Sequence, residues 1–205
     1  MNHGRGYLVP RLASGALVGV LLVGSLAERT VHGRNAASPD TASASNQDGA
    51  LALAQVQLQR ANAIMAFSAQ YGVAADLAAA IHDIAQAEHI DPALAFALVK
   101  VESNFEARAV SRAGAIGYTQ ILPSTAHLYE PGLTTAQLYA RDTNLRLGFR
   151  YLHELLGRFD GSAETRLRLA LLAYNRGPAR VQELLDAGRD PHNGYAATVL
   201  RGYRP

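Results

Sequence analysis

From Ala50 to the C-terminus, apolar residues recur at the three- and four-residue spacing of helix faces. No stretch shows the sustained alternation, enriched in β-branched residues, that marks a half-buried strand. The span is therefore expected to be all-α, and its punctuation divides it into helices. The pattern predicts a first helix over about Leu51 to Gln70, stopped near Gly72, and a second over about Ala75 to Glu88. Asp91 before Pro92 supplies an N-cap and a proline at the first helical position, opening a helix that runs to about Ser103. A glycine-rich loop from Ala113 to Gly117 follows, then a helix opened by Pro123 and Ser124 and a longer one from about Asp142 to Phe159. A very apolar helix from Glu164 to Tyr174 ends at Asn175 and Gly177, and Pro178 begins the next. No repeat of solenoid period is visible.

Ahead of this domain the pattern changes twice. Residues 28–49 are Ser, Ala, Asn, Asp and Thr with almost no large apolar side chain, too little to offset the entropy of ordering, and they are expected to be a flexible linker. Arg5 and Arg11 precede an apolar run from Leu12 to Leu26, with small residues at Ser25 and Ala27 where a cleavage site needs them. That run is shorter than the roughly 20 residues of a spanning helix. Residues 1–27 are therefore expected to be a signal peptide, with a retained N-terminal anchor as the competing reading. Either exports residues 50–205, the folded domain, to the periplasm or cell envelope. Residues 51–70 are expected to pack on that domain rather than stand off as a partner-binding arm.

Composition narrows the function classes. A chain of 205 residues at 49% hydrophobic content can bury one sizeable core. Its formal charge of +2, with Lys100 the single lysine, gives no basis for a nucleic-acid partner. The absence of cysteine removes disulfides, thiolate metal sites and thiol catalysis together. The seven histidines, among them His82, His89, His127 and His153, show no metal-ligand spacing, and neither a phosphate-cradling glycine pattern nor a Gly-x-Ser-x-Gly elbow is present. No metal and no cofactor are expected. Arg141, Arg146, Arg150 and Arg158 recur along one helix and read as a solvated face. The protein is expected to be a monomer, attached to a membrane only through its N-terminal segment if at all.

One residue stands out chemically. Val99 and Leu98, three and four positions before Glu102, and Ala95 further back place this glutamate on the apolar stripe of its helix. Desolvation and the negative end of the helix dipole both favour the protonated form, as a general acid requires. The alternative is a buried glutamate paired with Arg108 or Arg112. In the following segment, Ala113 to Ala126, two glycines let backbone approach a ligand and Gln120 offers both a donor and an acceptor, a mixture suited to sugars. A plain tight turn with an exposed Gln120 reads the same residues without function.

Glu102-Ser103, Ser111, Gly114 to Gln120 and Pro123 to Ala126, followed by Asn144 with Gly148 and Tyr151-Leu152 and then by Ala173 to Pro178 with Val181, resemble in order the signatures of the soluble-type lytic transglycosylases. That family is similar in fold to goose-type lysozyme, and the resemblance covers about residues 75–203. It departs at Tyr118-Thr119, where leucine and methionine are usual, at Leu122, where methionine is common, and at Pro191 to Gly194, where a Glu-Thr pair often precedes the aromatic residue here numbered Tyr195.

The resemblance implies a lysozyme-like helical domain acting on peptidoglycan glycan strands. It implies that Glu102 is the catalytic acid and that Ser103, Ser111, Gly117, Tyr118, Gln120, Tyr174 and Asn175 serve substrate binding. Seven of the nine tyrosines lie from Tyr118 onward, and tyrosine rings can stack on sugar faces; Tyr139 and Tyr151 are expected in the core. A retaining or inverting glycosidase needs a second carboxylate. Between Ser103 and Tyr129 the only acid is Glu106. The expected reaction is therefore the family's non-hydrolytic cleavage between N-acetylmuramic acid and N-acetylglucosamine, leaving 1,6-anhydromuramic acid ends. A hydrolytic goose-type muramidase and a non-catalytic peptidoglycan-binding protein on the same scaffold are the alternatives.

Overall fold

The structure is a computed structural model and describes residues 39–204; the segment expected to be a signal peptide lies outside them, as does the first part of the expected linker. Among the described residues all regular structure is helical: α1 (Pro39–Tyr71), α2 (Ala75–Ala87), α3 (Pro92–Ser103), α4 (Pro123–Tyr129), α5 (Thr135–Leu138), α6 (Arg141–Leu156), α7 (Ala163–Arg176), α8 (Pro178–Asp186) and α9 (Tyr195–Gly202). Residues 46–205 form one compact unit.

The core is built around α3. Its start follows the sequence signal: Pro92 occupies the first turn and the Asp91 carboxylate accepts from Ala93 N at 2.8 Å. Every residue from Ala93 to Val99 is buried, the mark of a helix surrounded on all sides. α2 and α9 pack against it directly, and α6 and α7 pack against each other and close the core through α2 and α9. Two rings from the end of α1 stack on Phe96, Phe67 at 4.3 Å and Tyr71 at 5.2 Å between centroids. α3 ends on Asn104 in the left-handed conformation, which turns the chain immediately after Glu102.

A smaller cluster of Ile116, Ile121, Ala126, Leu138 and Leu147 seats the loop after α3, together with α4 and α5, on α6. Its polar hub is the fully buried Asn144. The Asn144 amide donates to Ile116 O at 2.9 Å and Leu138 O at 3.2 Å, and its Oδ1 accepts from Thr119 N at 2.9 Å. One turn on, Gly148 leaves room for Thr119: a Cβ at Gly148 would come within 2.3 Å of Thr119 Oγ1. The missing side chain is what allows the loop to lie flat on α6.

α1 differs from expectation. It begins at Pro39, inside the stretch expected to be linker, and continues through Gly49. Ser, Ala, Asn and Gln carry no apolar periodicity, so nothing in residues 39–49 announces a helix to pattern reading. The expected packing of residues 51–70 holds only for the end of the helix, where Ile64, Phe67 and Tyr71 meet the core, while the residues from 47 to 62 are exposed. Three of the four arginines expected on a solvated face are ion-paired instead: Arg141 with Asp142 and Asp76, Arg146 with Glu130, and Arg150 with Glu88. Each acquires a partner outside its own helix, which periodicity cannot register.

Candidate active site

Glu102 sits in the last turn of α3 and borders a cleft of about 270 Å³, shared with Ser111, Ala113, Ala115, Gln120, Leu122, Tyr174 and Asn175. Among the described residues of that lining it is the one acid. Neither Arg108 nor Arg112 pairs with it, and Arg108 lies over the Tyr139 ring instead, so the ion-paired alternative is not what the fold builds. Its partner is Tyr195, the first residue of α9, whose hydroxyl donates to Glu102 Oε1. Burial raises the Glu102 carboxyl from its ordinary 4.5 to about 7, and the tyrosine bond, which favours the ionised form, pulls less strongly the other way. The acid is thus held near half-protonation at neutral pH.

The cleft wall opposite is the loop from Ala115 to Ile121, fixed by three helices. The Ser103 hydroxyl from α3 donates to Tyr118 O at 2.8 Å, Asn144 from α6 holds Thr119, and the Tyr174 hydroxyl from α7 donates to Thr119 O at 2.8 Å. Gln120 takes a left-handed φ of 47°, and both hydrogens of its amide are used on backbone carbonyls, Ala109 O at 3.1 Å and Gly117 O at 3.0 Å. This fixes the orientation of the group and leaves its carbonyl oxygen as the acceptor offered to a ligand. A wider groove of about 570 Å³ continues past Gln120, Leu122, Tyr174 and Asn175 to Tyr129, Tyr151, Glu154, Arg158 and Pro178.

The model of the transglycosylase SLT domain matches residues 79–192, more than half of the chain. The chain belongs to the transglycosylase SLT domain family. It is 32% identical over 120 residues to membrane-bound lytic murein transglycosylase C of Haemophilus influenzae, a match covering 54% of this chain and 34% of that protein. The chain thus spans about a third of the length of the curated relatives it matches. Among solved structures it is similar to an inactive mutant of the lytic transglycosylase Slt from Pseudomonas aeruginosa, with a TM-score of 0.51 and 29% identity over 61% of this chain and 23% of that one. It is also similar to the 70 kDa soluble lytic transglycosylase Slt70 from Escherichia coli, with a TM-score of 0.51 and 26% identity over 63% and 23%. The lysozyme-like helical fold expected from the sequence is the fold observed.

Within the SLT domain the structure brings Glu102, Ser111, Gln120, Tyr174 and Asn175 to one cleft. Ser103, Gly117 and Tyr118 stand behind its wall. Ser103 is buried with its hydroxyl committed to backbone; Gly117, at φ 74°, is pressed against Asn144; Tyr118 packs into the main core. Tyr139 is a core residue as expected, whereas Tyr151 faces the groove and lies 5.3 Å from the Tyr174 ring. Tyr195, three residues beyond the matched stretch, was absent from the expected site because nothing local reveals a partner 93 positions away. The departure before it now has a structural role. Asn193 donates to Asn175 Oδ1 at 2.8 Å and accepts from Tyr195 N at 3.2 Å, tying the start of α9 to the cleft.

Tyr195→Phe tests the pairing with a defined sign. The hydroxyl stabilises the carboxylate, so its loss raises the Glu102 pKa further above 7. In kcat/KM against pH, the limb on which activity falls as the acid ionises is expected to move to higher pH, with a lower maximum because the carboxyl loses its orienting bond. An unmoved limb contradicts the pairing.

Proposed function

We propose that the chain is a peptidoglycan lytic transglycosylase of the cell envelope, cleaving the β-1,4 bond between N-acetylmuramic acid and N-acetylglucosamine with Glu102 as its single general acid and base. The observation that carries this reading is the Glu102 carboxyl, raised to about 7 at the rim of a polar cleft in an SLT domain. Two-carboxylate glycosidases place their acids about 5 to 9.5 Å apart, and among the described residues no second acid shares this cleft.

In the proposed reaction the protonated Glu102 gives its proton to the bridging oxygen as the C1–O bond breaks, while the muramyl acetamide oxygen supports the developing positive charge at C1. The carboxylate so formed accepts the Tyr195 hydrogen bond more strongly than the acid did, which favours the charge-separated stage. Glu102 then removes the proton from the muramyl C6 hydroxyl, whose oxygen bonds to C1. The acid is regenerated and no water enters the products. Gln120 Oε1, the Asn175 amide and the ring faces of Tyr129, Tyr151 and Tyr174 are the groups available to hold flanking sugars.

Digestion of purified sacculi with the full chain, followed by mass analysis of the released muropeptides, tests the chemistry. The expected products end in 1,6-anhydromuramic acid, one water lighter than the reducing ends a muramidase leaves. Reducing ends alone would replace the reading with hydrolysis, and intact sacculi would replace it with binding.

A further inference from the structure

The N-terminal half of α1 presents a surface that the catalytic reading does not use. Leu51, Leu53, Val56, Leu58 and Met65 are each about three-fifths exposed, and they make up five of the eight exposed large apolar side chains among the described residues. Three of them lie seven apart, Leu51, Leu58 and Met65, with Ala54 and Ala61 between them, the a and d positions of a heptad. At about 100° per residue this stripe is turned by roughly a third of a circle from the line of Ile64, Phe67 and Tyr71 that meets the core. It is therefore not the domain-facing side continued. The same stretch of helix is almost uncharged: between Ala50 and Tyr71 the only charge is Arg60, which is paired with Asp83. An ordinary solvated helix face carries charges instead.

We propose that this stripe joins two copies of the chain, α1 against α1 in antiparallel orientation. The residue sizes set the orientation. A parallel pair would stack leucine on leucine and alanine on alanine, and a layer of two alanines leaves a void between the helices. Antiparallel pairing places Leu51 on Ala61 of the second copy and Ala54 on its Leu58, so every layer sets a large side chain on a small one and the helices approach closely. The five exposed side chains leave on the order of 500 Å² of apolar surface per copy, the size that marks a partner site. Two such surfaces together come to about 1,000 Å², where specific interfaces begin. A lipid surface fits less well, because the flanks of the stripe are the neutral Gln55, Gln59 and Asn62 rather than the basic residues that draw a helix to anionic headgroups. Dimerisation through α1 is independent of the reaction proposed above and replaces the monomer expected from the sequence.

The chain has no cysteine, so introduced thiols report the pairing without background. Full-length Leu51→Cys and Ala61→Cys proteins, mixed in equal amounts and oxidised, are expected to form a covalent dimer. Either protein oxidised alone is expected to form none, since its thiols lie about 15 Å apart along an antiparallel pair. Sedimentation velocity is expected to show a concentration-dependent dimer of the wild type, weakened at least tenfold by Leu51→Gln with Leu58→Gln while helicity and wall-cleaving activity are unchanged. A wild type that is monomeric at every concentration overturns the proposal. So does efficient cross-linking of Leu51→Cys alone, which would make the pair parallel. Binding to phosphatidylcholine–phosphatidylglycerol vesicles that the glutamine variant loses, without any dimer, would assign the stripe to lipid instead.

Discussion

Glu102→Gln is expected to lose about 10³- to 10⁴-fold in wall cleavage while melting no lower than the wild type at pH 8. The first part follows from the proposed roles, because a group that both gives and takes the proton has no replacement in the cleft. The second follows from the environment of the carboxyl. Its folded pKa lies above the unfolded 4.5, so the stability associated with the protonated form is complete below about pH 4.5 and is lost as pH rises through about 7. Above that, wild type must keep a charge in a poorly hydrated place, at a cost of up to about 3 kcal/mol, whereas glutamine stays neutral. The melting temperature of the variant minus that of wild type should therefore grow between pH 5 and pH 8, measured by calorimetry at each pH. A variant that is inactive because it is unfolded would melt lower throughout, and a variant that still cleaves would remove Glu102 from the chemistry.

Asn144→Ala is expected to be the most damaging single change away from the cleft. The side chain satisfies Thr119 N–H, Ile116 C=O and Leu138 C=O in a fully buried position, and alanine leaves all three without it. At about 1 to 3 kcal/mol for each orphaned group the loss is on the order of 4 kcal/mol, a large share of the roughly 5 to 15 kcal/mol that holds a domain together. For a domain of this size the melting temperature should fall by about 10 °C. Activity measured well below that melt should fall too, because the loop that Asn144 fixes carries Gln120 and the Tyr174 contact at Thr119 O. A variant with an unchanged melt would mean that the loop is held by its apolar residues alone.

What the sequence announces in advance is local chemistry. Asp91 and Pro92 mark the start of α3, and counting turns from there puts Glu102 at its end, where the structure has it. Gly117 and Gly148 were legible as motif residues, but the reason for each is the close approach of Asn144 and Thr119, which only the packing reveals. The features that sequence reading did not supply are contacts between distant segments. Tyr195 reaches Glu102 across 93 positions, Asn193 reaches Asn175 across 18, and the arginines of α6 find acids on α2 and in the turn after α4. The back-wall placement of Ser103 and Tyr118 has the same origin. Proximity in sequence to Glu102 and Gln120 suggested contact with substrate, while the helix and loop geometry turns both side chains inward. α5 escaped notice because four residues are too few for a periodic signal, although Thr134 and Gln137 form a reciprocal capping box that a search for caps would find.

Burial at the end of α3 keeps one carboxyl protonated close to neutral pH, and the proposed chemistry depends on it. Titration of the Glu102 side-chain carboxyl carbon by ¹³C nuclear magnetic resonance, assigned by its disappearance in Glu102→Gln, measures this directly. A midpoint at about pH 7 is the expected result. A midpoint near 4.5, where an ordinary glutamate titrates, would contradict it, for the group would then be ionised at neutral pH and unable to act as the acid.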